Sequence, residues 1–266
     1  MAHQVVRPSK TPKRWYDITM LVDSHCHLHD NFPIPVEEAL KKSHQNGVDK
    51  IIVIGTSPAD SENACKFAEA HEEVSWTYGY HPESFDDNRA QLEINLKNAK
   101  ELLKSKKLVG IGEIGLDYHF SPVEKEPQIY LLQNMLQIAQ DYELPVSFHV
   151  RDAFEDFWPI FDNFHLKPSV LHSFTDSEKN IEEGLKRGLY FGVNGIATFA
   201  KIAHPPLERI LLETDAPYLT PKPFRGKINE SAYILHIAEW AAEYYQVSLD
   251  EIADITTKNA EFIYKI

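Results

Sequence analysis

Leu108-Val-Gly-Ile-Gly-Glu-Ile-Gly-Leu116 is a short run dominated by apolar and glycine residues. It is followed by residues 124–142, where Leu131, Leu132, Met135, Ile138 and Ala139 are spaced to form one apolar helical face, and then by Pro145-Val-Ser-Phe-His-Val150. A short apolar run, a longer amphipathic stretch and a second apolar run together read as strand, helix, strand, the repeating unit of a parallel sheet. The same rhythm extends in both directions. Candidate strands fall at 21–28, 50–56, 75–80, 108–116, 145–150, 169–174, 189–193 and 209–213, with helical patterns at 36–46, 58–70, 95–105 and 124–142 between them. Two last helices, 230–245 and 252–264, would close an outer ring. Eight such units predict an α/β fold, a single (β/α)8 TIM barrel, although an open doubly wound sheet shares the same local pattern.

The bulk properties agree. A chain of 266 residues with 43% hydrophobic and 25% charged residues suits one barrel domain, taken here as 21–266. Residues 1–20 are polar and basic, with Pro8 and Pro12 and no lasting period, and read as an appendage: a disordered extension, an alternative start at Met20 or an expression remnant. No apolar run approaches the roughly 20 residues that span a bilayer, and the N-terminal stretch lacks the apolar core expected of a secretory signal. With only Cys26 and Cys65, no disulfide framework is expected, which points to the cytoplasm. A net charge of −13 argues against a protein that coats DNA, but not against an enzyme that holds a strand end transiently. No membrane and no obligate protein partner is expected.

The chemistry collects at the C-terminal ends of the strands, the rim where barrel active sites form. The first strand ends Leu21-Val-Asp-Ser-His-Cys-His-Leu28; strict alternation would turn Asp23, His25 and His27 one way and Val22, Ser24 and Cys26 the other. The fourth carries Glu113 within an apolar, glycine-rich run, where a carboxylate is costly unless it is paired or holds a cation. Gly112 and Gly115 invite close approach of a ligand or a neighbouring backbone. The fifth presents Ser147, His149 and Arg151 on one face, the sixth His172, and the eighth Glu213 and Asp215. Each alone reads equally as a satisfied core polar group. Together, His25, His27, Glu113, His149, His172 and Asp215 form an N/O donor set suited to Zn, Mn, Fe, Co or Ni, and less typical of Mg. Six donors exceed one tetrahedral site and suit two divalent ions.

These motifs resemble the TatD family of metal-dependent deoxyribonucleases within the amidohydrolase superfamily. The matching segments are Asp23-Ser-His-Cys-His27, Gly79-Tyr-His-Pro82, Gly110-Ile-Gly-Glu-Ile-Gly-Leu-Asp117, residues 145–151, His172-Ser-Phe174 and Glu213-Thr-Asp-Ala-Pro217, with Arg225-Gly-Lys-Ile-Asn-Glu230 and Asn259-Ala-Glu261 in addition. The resemblance implies one metal on His25, His27, Glu113 and Asp215 and a second on Glu113, His149 and His172, bridged by Glu113. It implies no carbamylated lysine, since Glu113 stands at that strand. One departure is His172-Ser173-Phe174-Thr175-Asp176, where relatives often carry Cys and Gly, so the turn beyond the ligand differs.

The expected chemistry is phosphodiester hydrolysis of DNA, of the 3′–5′ exonuclease type, in which metals lower the pKa of an attacking water and Asp215 is both ligand and base. The alternative is a small-molecule amidohydrolase acting on an amide, ester or lactone. Arg151 reads equally as a phosphate clamp or a structural counter-ion, and His81 as a substrate contact. Asp117 and Glu83 read as orienting groups for a ligand histidine or as caps, and Tyr118 and His119 as base-stacking or solvated rim residues. Lys222, Arg225 and Lys227, with Phe224, form a basic loop that grips a phosphate backbone or packs the rim. The remaining histidines, His29 among them, read as surface or structural.

Overall fold

A computed structural model describes residues 20–29 and 32–266, so the N-terminal appendage before Met20 lies outside the described residues. Eight strands follow one another as neighbours in a single sheet, all parallel: β1 (Leu21–Cys26), β2 (Val48–Ile54), β3 (Val74–Tyr78), β4 (Leu108–Asp117), β5 (Val146–Arg151), β6 (Val170–Leu171), β7 (Tyr190–Val193) and β8 (Ile210–Leu212). Between them run α1 (Val36–Gln45), α2 (Pro58–Ala70), α3 (Arg89–Leu102), α4 (Lys125–Asp141), α5 (Phe154–Phe161) and α6 (Glu178–Lys186), and α7 (Ile234–Tyr245) and α8 (Leu249–Tyr264) follow β8. The sheet curls until β8 meets β1. The seam is tied by Ser24 Oγ donating to Leu212 O at 2.8 Å, Asp215 N to His25 O at 2.9 Å and His27 N to Ala216 O at 2.8 Å. This is a (β/α)8 barrel, not an open sheet.

Strand alternation divides the core in two. Ile51 and Val53 of β2 face the helices within the larger apolar cluster, whereas Ile52 and Ile54 face inward with Val22, Val109, Val170 and Leu211. Ala260, Ile263 and Tyr264 at the end of α8 join the inner cluster and close the floor of the barrel at the strands' N-terminal ends. The polar rim lies at the other end.

Two strands break alternation where function needs it. On β1, Asp23 pairs with Ile51 and Cys26 with Val53, so three residues of β1 match two of β2. This bulge corrects the expectation that Asp23 shares a face with His25 and His27. Asp23 lies outside the barrel wall with Cys26, both near Ser231, and accepts from Thr214 N at 2.9 Å and Thr214 Oγ1 at 2.6 Å. On β4, Ile111 pairs with Val146 and Ile114 with Phe148, a second bulge that brackets Gly112 and Glu113.

The other differences concern boundaries. Helix α3 starts at Arg89, capped by Asn88, rather than at 95, and α8 starts at Leu249 behind the Ser248 cap rather than at 252. Residues 231–233 form a separate 3-10 turn before α7. β6 is short because Ser173, with φ of 49°, turns the chain directly after His172.

Candidate metal centre

All six expected ligands converge at the rim. The carboxylate of Glu113 stands among the imidazoles: Oε2 faces His25 Nε2 at 3.5 Å, Oε1 faces His149 Nδ1 at 2.8 Å and His172 Nε2 at 3.7 Å, and the His25 and His172 rings stack at 3.4 Å. Asp215 Oδ1 lies 3.3 Å from His27 Nε2, 3.7 Å from His25 Nε2 and 3.8 Å from His172 Nε2. Donor atoms of His25, His27 and Glu113, of His25, His172 and Asp215, and of His81, Glu113 and His149 each fall within 4.8 Å of one another. The fit to a cation rests on one further observation. His25 Nε2 is buried with no hydrogen-bond partner, at the meeting point of two carboxylates. A buried donor nitrogen left unpaired is costly, and a metal ion would satisfy it.

Groups behind the ligands fix which nitrogen each ring presents. Asp117 Oδ2 holds His149 Nε2 at 2.8 Å, leaving Nδ1 for the centre, and Asp117 Oδ1 also accepts from His119 N and Phe120 N, so both roles expected of this residue hold at once. Ser147 Oγ lies 3.2 Å from His25 Nδ1. Glu213 Oε1 sits 3.0 Å from His172 Nδ1, off the line of a good hydrogen bond, and accepts from Ser173 N at 2.7 Å. Gly192 makes room for Glu213: a Cβ there would lie 2.1 Å from its Oε2. Gly115, with φ of +157°, performs the equivalent task for β5, since a Cβ would lie 1.7 Å from His149 O. For Gly112 and Gly115 it is therefore the neighbouring backbone that comes close, a Cβ on Gly112 lying 2.6 Å from Ser147 O.

The charge balance is that of a cation site. Burial favours the neutral carboxyl, yet the surrounding imidazoles, His172 foremost, hold Glu113 well below the usual carboxylate range, and His27 and His172 lower Asp215. Burial likewise opposes charge on the rings, but Asp117 and Glu113 lift His149 to about 9, and Glu213 and Glu113 lift His172 to about 10. His25 is lowered, by burial first and then by the charge of His172. The carboxylates thus demand positive charge, which protons on His149 and His172 supply until a metal displaces them.

The centre opens into a cleft of about 710 Å³. His81 lines it, with Nδ1 accepting from Glu83 N at 3.3 Å and Nε2 3.7 Å from Glu113 Oε1; burial pushes the ring down to about 4, so it is neutral with the proton on Nε2. Glu83 also lines the cleft, and its backbone, not its carboxylate, orients that histidine. Arg151 lines it too, donating from Nη1 to Thr175 Oγ1 at 3.0 Å, with Nε buried and unpartnered. No ion pair of Arg151 with a carboxylate occurs among the described residues, although Asp176 lies near enough for its carboxyl to be lowered in part by the Arg151 charge. Arg225 is not brought to the cleft: it donates to Thr220 O and stacks on Phe199 at 4.0 Å, while Phe224 stacks on Tyr233 at 4.4 Å, so the basic loop packs the rim.

Sequence reasoning missed three cleft features. His29 is buried and pairs with Asp60 Oδ1 at 3.2 Å, both on the cleft wall; nothing local distinguishes it from a loop histidine. Tyr118 is tied to Asp156 and His119 to Asp152, and the ring that reaches the cleft from that loop is Phe120. Tyr218 lines it from the opposite side, 6.1 Å from the His27 ring. Pro217 precedes Tyr218 and gave no hint of that direction.

Comparison with known proteins is decisive for the family. The profile of the TatD-related DNases matches residues 22–265. An uncharacterised metal-dependent hydrolase of Bacillus subtilis, YabD, is 34% identical over 257 residues, covering 93% of this chain and all of the relative. The 3′-5′ ssDNA/RNA exonuclease TatD of Erwinia amylovora is 30% identical over 243 residues, covering 86% and 93%. The crystal structure of YjjV, a TatD homologue from Escherichia coli K12, superposes with a TM-score of 0.80 at 29% identity over 92% of this chain and 98% of that one. With this barrel, this rim of inward-facing donors and these relatives, the chain belongs to the TatD-related DNase family and is a metal-dependent hydrolase.

Proposed function

We propose that the protein hydrolyses phosphodiester bonds in nucleic acid, removing nucleotides from a 3′ end with two divalent ions held by His25, His27, Glu113, His149, His172 and Asp215. The carrying observation is Glu113, whose Oε2 faces His25 while its Oε1 faces His149 and His172, so that one carboxylate reaches imidazoles of both expected ligand sets. The exonuclease named in Erwinia amylovora supports the substrate and its polarity. Bound divalent ions supply an acidified water and positive charge against the phosphoryl oxygens. Asp215 takes the proton of the attacking water, which its position at the edge of the cleft allows. His81, with its proton on Nε2, donates to a phosphoryl oxygen, and Arg151 holds the neighbouring phosphate. Residues 21–266 form the catalytic domain, residues 1–20 an extension outside it. We place the activity in the cytoplasm, where Cys26 and Cys65 remain free thiols.

The test is degradation of 5′-labelled single-stranded and duplex oligonucleotides by protein loaded in turn with Zn, Mn, Mg, Co, Ni or Fe, beside a panel of amides and lactones. Stepwise shortening from the 3′ end is expected. DNA left intact under every metal, with an amide or lactone cleaved, overturns the nuclease reading.

A further inference from the structure

The cleft above the metal centre has an unusual wall for a nucleic-acid enzyme. Among the described residues Arg151 is the one Lys or Arg that lines it, while Asp60, Glu83, Glu113 and Asp215 line it too, and the whole chain carries a net charge of −13. Proteins that track a phosphate backbone do so with a row of cations, each of which steepens the salt dependence of binding. That row is missing from this cleft. What the cleft offers instead is aromatic surface. Phe120 and Tyr218 are 66% and 62% exposed and both line the cleft, so each offers a free ring face beside the metal site. Their positions are specific. Tyr218 stands 6.1 Å from the ring of His27, and Phe120 stands 5.9 Å from the Arg151 guanidinium on the other side of the opening.

We infer that the protein holds the end of an unpaired strand chiefly by stacking its terminal bases on Phe120 and Tyr218, with a single phosphate clamped by Arg151. The inference rests on the nuclease reading above. Its consequences are a short footprint, indifference to base identity and weak dependence on salt. Every base presents a π-face, so stacking is sequence-tolerant. Paired bases are stacked on their neighbours and have no free face to give, so a duplex end must fray before it is held. The phosphate on Arg151 adds only about −0.7 to the slope of log affinity against log salt beyond the scissile phosphate at the metal centre.

The experiment measures KM and kcat of the metal-loaded protein on single strands of three, six and twenty nucleotides, on the six-nucleotide strand with two abasic 3′-terminal positions, and at several salt concentrations. The variants are Phe120→Ala, Tyr218→Ala and Phe120→Leu, all at exposed positions, so folding is preserved. Each loss of a ring is expected to raise KM by roughly 5-fold or more on the normal strand, with kcat little changed. On the abasic strand the same variants should match the parent. Phe120→Leu, apolar but without a ring, should behave as Phe120→Ala. KM equal for three and twenty nucleotides supports the short footprint. KM unchanged in both alanine variants, or a salt slope of several phosphates with KM falling steadily with length, overturns the inference. Failure of the parent to cleave any strand is a different result: it removes the nuclease reading itself.

Discussion

Asp215 faces both His27 and His25 across less than a side chain's width, and the two duties proposed for it are separable by one substitution. Asp215→Asn keeps an oxygen for the metal but no basic carboxylate. Its kcat should fall by about 10²–10⁴, with much of the metal still present by elemental analysis. Turnover equal to the parent's would remove the base role. Glu213 has no expected contact with substrate, yet it braces His172 from behind. Glu213→Gln should weaken metal retention by about 10–100-fold, read by competition with a chelating dye; unchanged retention would leave Glu213 a packing residue only. The convergence of the six candidate ligands was readable because burying His, Glu and Asp at strand ends has few explanations. The faces of Ser147 and Glu213 were read as well, but not their places behind His25 and His172, because which residue stands behind a ring depends on the neighbouring strand, not on its own.

At the level of strands, parity decides which side chain meets the metal. Strict alternation misassigns Asp23, since the β1 bulge sends it outward and leaves His25 inward. From there Asp23 ties β1 to Thr214, the residue before Asp215, through two short bonds. The eight strands themselves were legible from apolar periodicity, including β4, although its boundary and bulge were not. A bulge is one residue inserted into a pairing, and pairing is not written in a single strand. The glycines carry the same lesson. Gly115→Ala would drive a methyl group into the carbonyl of His149, so a loss of about 1–3 kcal/mol in urea unfolding is expected, together with reduced metal content. A variant as stable and as well loaded as the parent would show that β5 can retreat without moving His149.

The proposed ligands come from the ends of β1, β4, β5, β6 and β8, so bound metal would clamp most of the barrel and should stabilise the entire fold. With metal at about 100 times its dissociation constant, the melting temperature should rise by roughly 5–10 °C over the chelated protein, read by calorimetry; no rise would contradict a centre spanning these strands. The pH behaviour should invert between the two forms. In metal-free protein His149 and His172 are raised above their unfolded value, to about 9 and about 10, so the folded state holds protons that the unfolded state has lost above 6.5. Its stability should therefore fall as pH rises from 7 to 9. Metal affinity should climb over the same interval, because cation and proton compete for the same nitrogens. A urea midpoint that is flat across this range in the chelated protein would refute the raised values. The eight strand-and-helix units and the six polar side chains at strand ends follow from local pattern alone, since periodicity and the cost of burying charge act within a few residues; that pattern fits a barrel and an open sheet alike. The β8–β1 seam, the bulges that set side-chain direction, the carboxylates behind each ring and the placing of Phe120 and Tyr218 over the centre were decided only by tertiary structure, because each depends on chain segments far apart in sequence being packed against one another.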